Sequence, residues 1–139
     1  MRKRVLTSAI SFILICSLFT SLALAETLRA SKYISSYNAV IYSSGNEITV
    51  DCSITGTGRM KTIGIKSVKI YTSSGTNVAT YSYTTDGYEY LMGSDTGRKT
   101  ASVTYTGTSG KSYYAVVVFY ASDGSGGDSR SYTTKTITV

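Results

Sequence analysis

Tyr113-Tyr114-Ala115-Val116-Val117-Val118-Phe119-Tyr120-Ala121 is the longest apolar run in the chain once the first 25 residues are set aside. It is built from β-branched and aromatic residues and bounded by Gly110-Lys111-Ser112 and Ser122-Asp123-Gly124. That length and those bounds predict a buried central strand rather than a helix. If Tyr113, Ala115, Val117 and Phe119 point into a core, Tyr114, Val116, Val118 and Tyr120 point out. A strand with one wet face alternates apolar with polar residues, and this one does not.

Outward from this strand, the chain breaks into short alternating segments. Residues 37–42 alternate weakly, and Ser43-Ser44-Gly45-Asn46 forms a turn. Residues 47–55 are the cleanest strand, with Ile48, Val50, Cys52 and Ile54 on one face and Thr49, Asp51, Ser53 and Thr55 on the other. In residues 59–64 the three-residue spacing of Met60 and Ile63 predicts one helical turn. Residues 65–72, 78–83, 99–106 and 130–139 read as further strands, with turn signals at 73–77 and at Asp86-Gly87. Tyr90-Leu91-Met92 is a short apolar cap, followed by a loop at 94–97. About seven short strands without βαβ alternation predict an all-β, antiparallel sandwich.

The first 25 residues have another character. Met1-Arg2-Lys3-Arg4 is basic, residues 10–19 are apolar, and Ala23-Leu24-Ala25 has the small-x-small form of a signal-peptidase site. This is the layout of a secretory signal peptide cleaved after Ala25, which makes the protein secreted. An uncleaved anchor over residues 5–25 is the alternative. A lipoprotein anchor at Cys16 fails because Ile15 stands where a small residue is needed. The chain therefore divides into a signal peptide (1–25), a flexible segment (26–32) and the sandwich domain (33–139).

Losing Arg2, Lys3 and Arg4 lowers the net charge from +6 to +3, an excess that does not argue for nucleic acid. No membrane association is expected after cleavage. Cys52 is then the only cysteine, so no internal disulfide forms and stability comes from core burial. With no histidine, the commonest general base and the commonest transition-metal ligand are both missing. A Ser-His-Asp site is impossible, and neither Ser-x-x-Lys nor Gly-x-Ser-x-Gly occurs. Asp86, Glu89 and Asp95 would have to supply any glycosidase pair, from stretches with nothing apolar to raise a carboxyl pKa. The expectation is a non-enzyme without cofactors.

Gly107-Thr108-Ser109-Gly110-Lys111-Ser112 ends like a phosphate-binding loop, but a strand follows where a helix is needed. Gly110-Lys111-Ser112-Tyr113 resembles the tyrosine corner of immunoglobulin-like and fibronectin type III-like domains, in which a tyrosine opening a strand bonds back to nearby backbone. The chain departs from true immunoglobulin domains in lacking a partner for Cys52 and a core tryptophan. Ser31-x-Tyr33, Thr55-Gly56-Thr57-Gly58, the segment from Gly107 to Tyr113 and Gly126-Gly127-Asp128-Ser129-Arg130 occur in an order similar to that of small secreted, uncharacterised proteins of Gram-positive, clostridia-type bacteria. That resemblance implies secretion and a β-sandwich and brings no catalytic residue.

Three candidate sites remain. Asp123 and Asp128 are weak candidates for calcium, since a site needs six to eight oxygens and no metal is expected. Arg59, Lys61, Lys66 and Lys69 form a basic cluster with no acidic residue between Asp51 and Asp86. Such a cluster suits an anionic glycan or wall polymer, or a small secreted effector such as an inhibitor or antimicrobial; lysines also guard sheet edges against pairing with other chains. The sharpest candidate is the outer face of the central strand, where Tyr114, Val116, Val118 and Tyr120 are joined by Tyr71 and Tyr132. An apolar, tyrosine-rich patch on a Ser/Thr surface has the anatomy of a binding site for an extracellular protein, a glycan or a second copy.

Overall fold

The computed structural model describes Ser31–Val139; the expected signal peptide, its expected cleavage site and residues 26–30 of the segment expected to be flexible lie outside the described residues. The described residues are all-β and antiparallel. Their seven strands are β1 (Ile34–Ser44), β2 (Glu47–Thr72), β3 (Asn77–Ser82), β4 (Met92–Thr106), β5 (Ser112–Ser122), β6 (Gly127–Thr133) and β7 (Ile137–Thr138). Among the described residues a single 3-10 turn, Glu89–Leu91, precedes β4; of the expected apolar cap it buries Leu91 completely and leaves Tyr90 exposed.

β2 organises the sheet. Its first half lies between β1 and the second half of β4, and its last part lies between β3 and β5. β6 and the two residues of β7 pair with β5. The expected helical turn at 59–64 does not form: these residues belong to β2. Between Thr55 and Met60 the register against β4 jumps from Arg98 to Thr96, so β2 carries surplus residues there. Such a bulge shifts which residues face inward. Even-numbered residues Ile48 to Ile54 are buried before it, and odd-numbered Ile63 and Ile65 after it. A second bulge between Ile65 and Ser67 restores the even phase for Val68 and Ile70. Met60 and Ile63, both buried, follow the first bulge in regular register against β4 and belong to a strand, not to a helix.

The expected loop at 94–97 is likewise part of β4, bent where Asp95 takes a positive φ of 54°. The expected final strand over 130–139 is two pieces, β6 and β7, separated by buried Thr134. The Thr134 hydroxyl accepts the Ala115 amide at 2.9 Å, and its own amide donates to the Ala115 carbonyl at 2.9 Å. A side chain thus continues the ladder where the strand stops.

The inward faces of both parts of β2 join one core. Ile48, Val50, Cys52 and Ile54 meet Val68, Ile70, Ala115, Val117 and Phe119 in a single cluster. Aromatic contacts tie strands that share no hydrogen bonds: Tyr37 lies 5.5 Å from Phe119, and Tyr105 packs edge-on to Tyr113 at 5.9 Å. Each fully buried branched side chain contributes about 1.5–3 kcal/mol of transfer free energy. The Tyr113 hydroxyl accepts the Thr108 amide at 2.8 Å, the reach-back expected at that corner. This bond holds the Tyr113 phenol below its ordinary pKa.

Candidate binding face

β5 is the strand the sequence marked, and its burial alternates without a break from Ser112 to Ser122. Tyr113, Ala115, Val117, Phe119 and Ala121 are buried, while Tyr114, Val116, Val118 and Tyr120 are half-buried on the other side. Cross-strand pairing sets their neighbours. Tyr71 and Lys69 of β2 stand opposite Tyr114 and Val116, and Ser67 stands opposite Val118. On the other flank, Thr133, Ser131 and Ser129 of β6 stand opposite Val116, Val118 and Tyr120.

The large residues of this face cover one another in part. Tyr71 and Tyr114 stack with ring centroids 5.4 Å apart and planes 12° from parallel. Lys66, the extra residue of the second bulge, places its ammonium 4.5 Å from the Tyr120 ring centroid. A Cβ at Gly127 would come within 2.7 Å of the Tyr120 hydroxyl, so the glycine leaves room for that ring to lie across β6. Val116 and Val118 fill the interval between these two aromatic ends. From Tyr114 to Tyr120 the face runs roughly 20 Å at the usual strand rise. No carboxylate stands at the paired positions along it.

Tyr132 is not on this face. It pairs with Val117, so it shares the inward side, where its ring meets Tyr37 edge-on at 6.4 Å. β6 begins at Gly127 and sends Ser129, Ser131 and Thr133 outward, the opposite phase from the one expected.

The four basic residues are not one patch. Lys66 and Lys69 belong to the tyrosine–valine face. Lys61 runs beside the β5–β6 loop, where a Cβ at Gly124 would meet its Cδ at 3.0 Å. Arg59 is exposed on the bulged stretch of β2. Asp123 and Asp128 are engaged locally. Asp123 Oδ1 accepts the amides of Ser125 and Gly126 and the Ser125 hydroxyl, bonds that depress its pKa. Asp128 pairs with Arg130 at 2.8 Å and accepts the Ser129 amide. Among the described residues no three His, Cys, Asp or Glu side chains gather as metal ligands.

The phosphate-loop candidate is a corner whose amides are occupied. Thr108 donates to Tyr113, Gly110 to the Val139 carbonyl and Lys111 to the Thr108 carbonyl. Cys52 is buried, and burial, reinforced by the Asp51 carboxylate, pushes its thiol up to about 12. Asp86, Glu89 and Asp95 are all exposed, and Glu89 accepts the Gly87 amide.

One feature had no sequence signal. The outer face of β1, the first half of β2 and β4 forms an open trough of about 510 Å³ along Asn38, Val40, Asp51, Ser53, Thr100 and Ser102. Small polar residues together with Val40, at facing positions of three strands, make it, and only the pairing brings them together.

No family model matches the chain, and no curated protein matches it. Among solved structures it is similar to a hypothetical protein from Pyrococcus horikoshii OT3, at 14% identity over 81% of this chain and 99% of that one, with a TM-score of 0.37.

Proposed function

We propose that the protein is an exported, non-catalytic binding module, an immunoglobulin-like or fibronectin type III-like sandwich that holds an acidic glycan along the outer face of β5. The leader and the turn residues it shares with small clostridia-type secreted proteins belong to this reading. The observation that carries it is the composition of the face: stacked Tyr71 and Tyr114 at one end, Tyr120 under Lys66 at the other, Lys69 between. Tyrosine faces stack on sugar rings at low entropic cost, and unopposed lysines favour a polyanion. The length of the face suits an extended chain rather than a single sugar. Because Lys66 and Lys69 sit on this face and Arg59 and Lys61 do not share it, a separate effector surface made by the four basic residues has less support.

Affinity electrophoresis tests the proposal with polygalacturonate and its uncharged methyl ester. The acidic polymer is expected to retard the protein, salt to weaken the retardation, and Lys66→Glu with Lys69→Glu to abolish it. Equal retardation by both polymers, or none by either, rejects the glycan reading. Export is tested separately by mass spectrometry of culture supernatant, where the chain should begin at Glu26.

A further inference from the structure

The open edges of the sheet are guarded unequally. β4 directs the carbonyls of Ser102 and Thr104 away from β2, and both are occupied: the Tyr90 hydroxyl donates to the first at 2.9 Å and the Tyr81 hydroxyl to the second at 2.7 Å. β3 has only six residues. β6 carries the Asp128–Arg130 ion pair, and Arg130 also donates to the Ser129 carbonyl. Short strands, charges and covered groups are how sheets avoid pairing with other chains.

β1 has none of these. Its 11 residues include no charged side chain and no proline, and its one irregularity lies at its beginning. The two-residue turn at Gly45-Asn46 makes Ser44 and Glu47 a hydrogen-bonded pair, and the alternation of antiparallel ladders then sets the rest. The amides and carbonyls of Tyr37, Ala39, Ile41 and Ser43 point away from β2. The bond from the Gly107 amide to the Asn46 carbonyl, on the β4 side, agrees with that phase. Among the described residues no hydrogen bond reaches these outward groups. Val40 and Tyr42, 47% and 46% exposed, stand on the outer face along the same edge. A recess of about 220 Å³ beside it, lined by Ala39, Ile41, Tyr132 and Thr134, leaves room for the inward side chains of an arriving strand.

We propose that β1 is a self-association edge, where a second copy of this chain adds its own β1 antiparallel across a two-fold axis. The strand is self-complementary because it carries no charge, so pairing it with itself opposes no like charges. With the axis at Val40, Tyr37 faces Ser43 and Ala39 faces Ile41 of the second copy, and every outward amide and carbonyl between them finds a partner. Val40 then meets its counterpart in a non-hydrogen-bonded pair, where side chains come closest. Asn38 and Tyr42 flank that contact on the outer face. This dimer uses a different surface from the glycan face and stands or falls independently of it.

Sedimentation equilibrium of the full chain tests the proposal. The wild type is expected to show a concentration-dependent dimer. Val40→Lys should raise the dimer Kd about tenfold or more while the far-UV spectrum stays unchanged. Val40→Cys, made in a Cys16→Ser background, should give a reducible cross-linked dimer absent from the Cys16→Ser parent, since Cys52 is buried. A wild type that is monomeric throughout overturns the proposal. So does a dimer indifferent to Val40→Lys, and one lost on Val118→Lys instead would move the contact to the β5 face.

Discussion

On the first half of β2 the side chains that leave the core are Thr49, Asp51 and Ser53; near its end they are Ser67, Lys69 and Tyr71. The first group lies in a trough with Asn38, Thr100 and Ser102, where the Ser102 hydroxyl donates to Asp51. The second lies beside Tyr114, Val116, Val118 and Tyr120. A polar face needs no cover, because water satisfies it. The apolar face is half-covered by its own parts, a tyrosine on a tyrosine and a lysine on a tyrosine, which lowers the apolar area it shows to water. One strand thus supplies two unlike surfaces, and the bulges between them let each keep an apolar inner side.

The contrast between inside and outside on β5 gives the largest expected effect. Phe119→Ala should cost about 3–5 kcal/mol in urea unfolding, whereas the half-buried neighbour Val118→Lys should leave stability within about 1 kcal/mol and alter only association. Equal losses at both positions would mean that the outer side is core as well. The next effect concerns the stretch where β2 passes between its two surroundings. A Cβ at Gly64 would run into the Leu91 carbonyl, whereas one at Gly58 meets nothing within 4 Å. Gly64→Ala should therefore cost about 1–3 kcal/mol and Gly58→Ala less than about 0.5 kcal/mol, as read from thermal melts of the two variants. Third, Tyr113→Phe leaves the Thr108 amide without its acceptor and should cost about 1–2 kcal/mol. A loss indistinguishable from zero would show water replacing the hydroxyl.

The smallest effect at neutral pH lies under the polar face. Cys52 stays protonated in the folded chain up to about pH 12, while in the unfolded chain it ionises in the ordinary thiol range. Deprotonation then favours the unfolded state, so the protonated thiol contributes nothing at pH 7 and stability falls as pH rises from about 9 toward 12. Cys52→Ala should flatten that part of the alkaline stability curve after the tyrosine contribution common to both proteins is subtracted. A thiol reagent should leave native Cys52 unmodified at pH 8, and rapid labelling would contradict its burial.

The sequence made the inner and outer sets of β5 readable because an unbroken strand alternates with period two. The same rule held for Ile48 to Ile54. It failed at Met60 and Ile63, two buried residues three apart on one strand just after a bulge, and at Tyr132, where the starting point of β6 decided the face. The stacked Tyr71–Tyr114 pair was half legible. Both residues could be assigned to the outer side, but their contact depends on a cross-strand register that no local pattern carries.

Residue type and spacing alone therefore determined the all-β character of the described residues, several of their turns and most of their core, because hydrophobic alternation and turn preference act between near neighbours. The tertiary structure decided where β2 bulges, which basic residues share a face, how the trough forms and which edge of the sheet is left open. Each of those depends on pairing between segments distant in the chain, and a one-residue shift in that pairing moves every side chain of a strand to its opposite face.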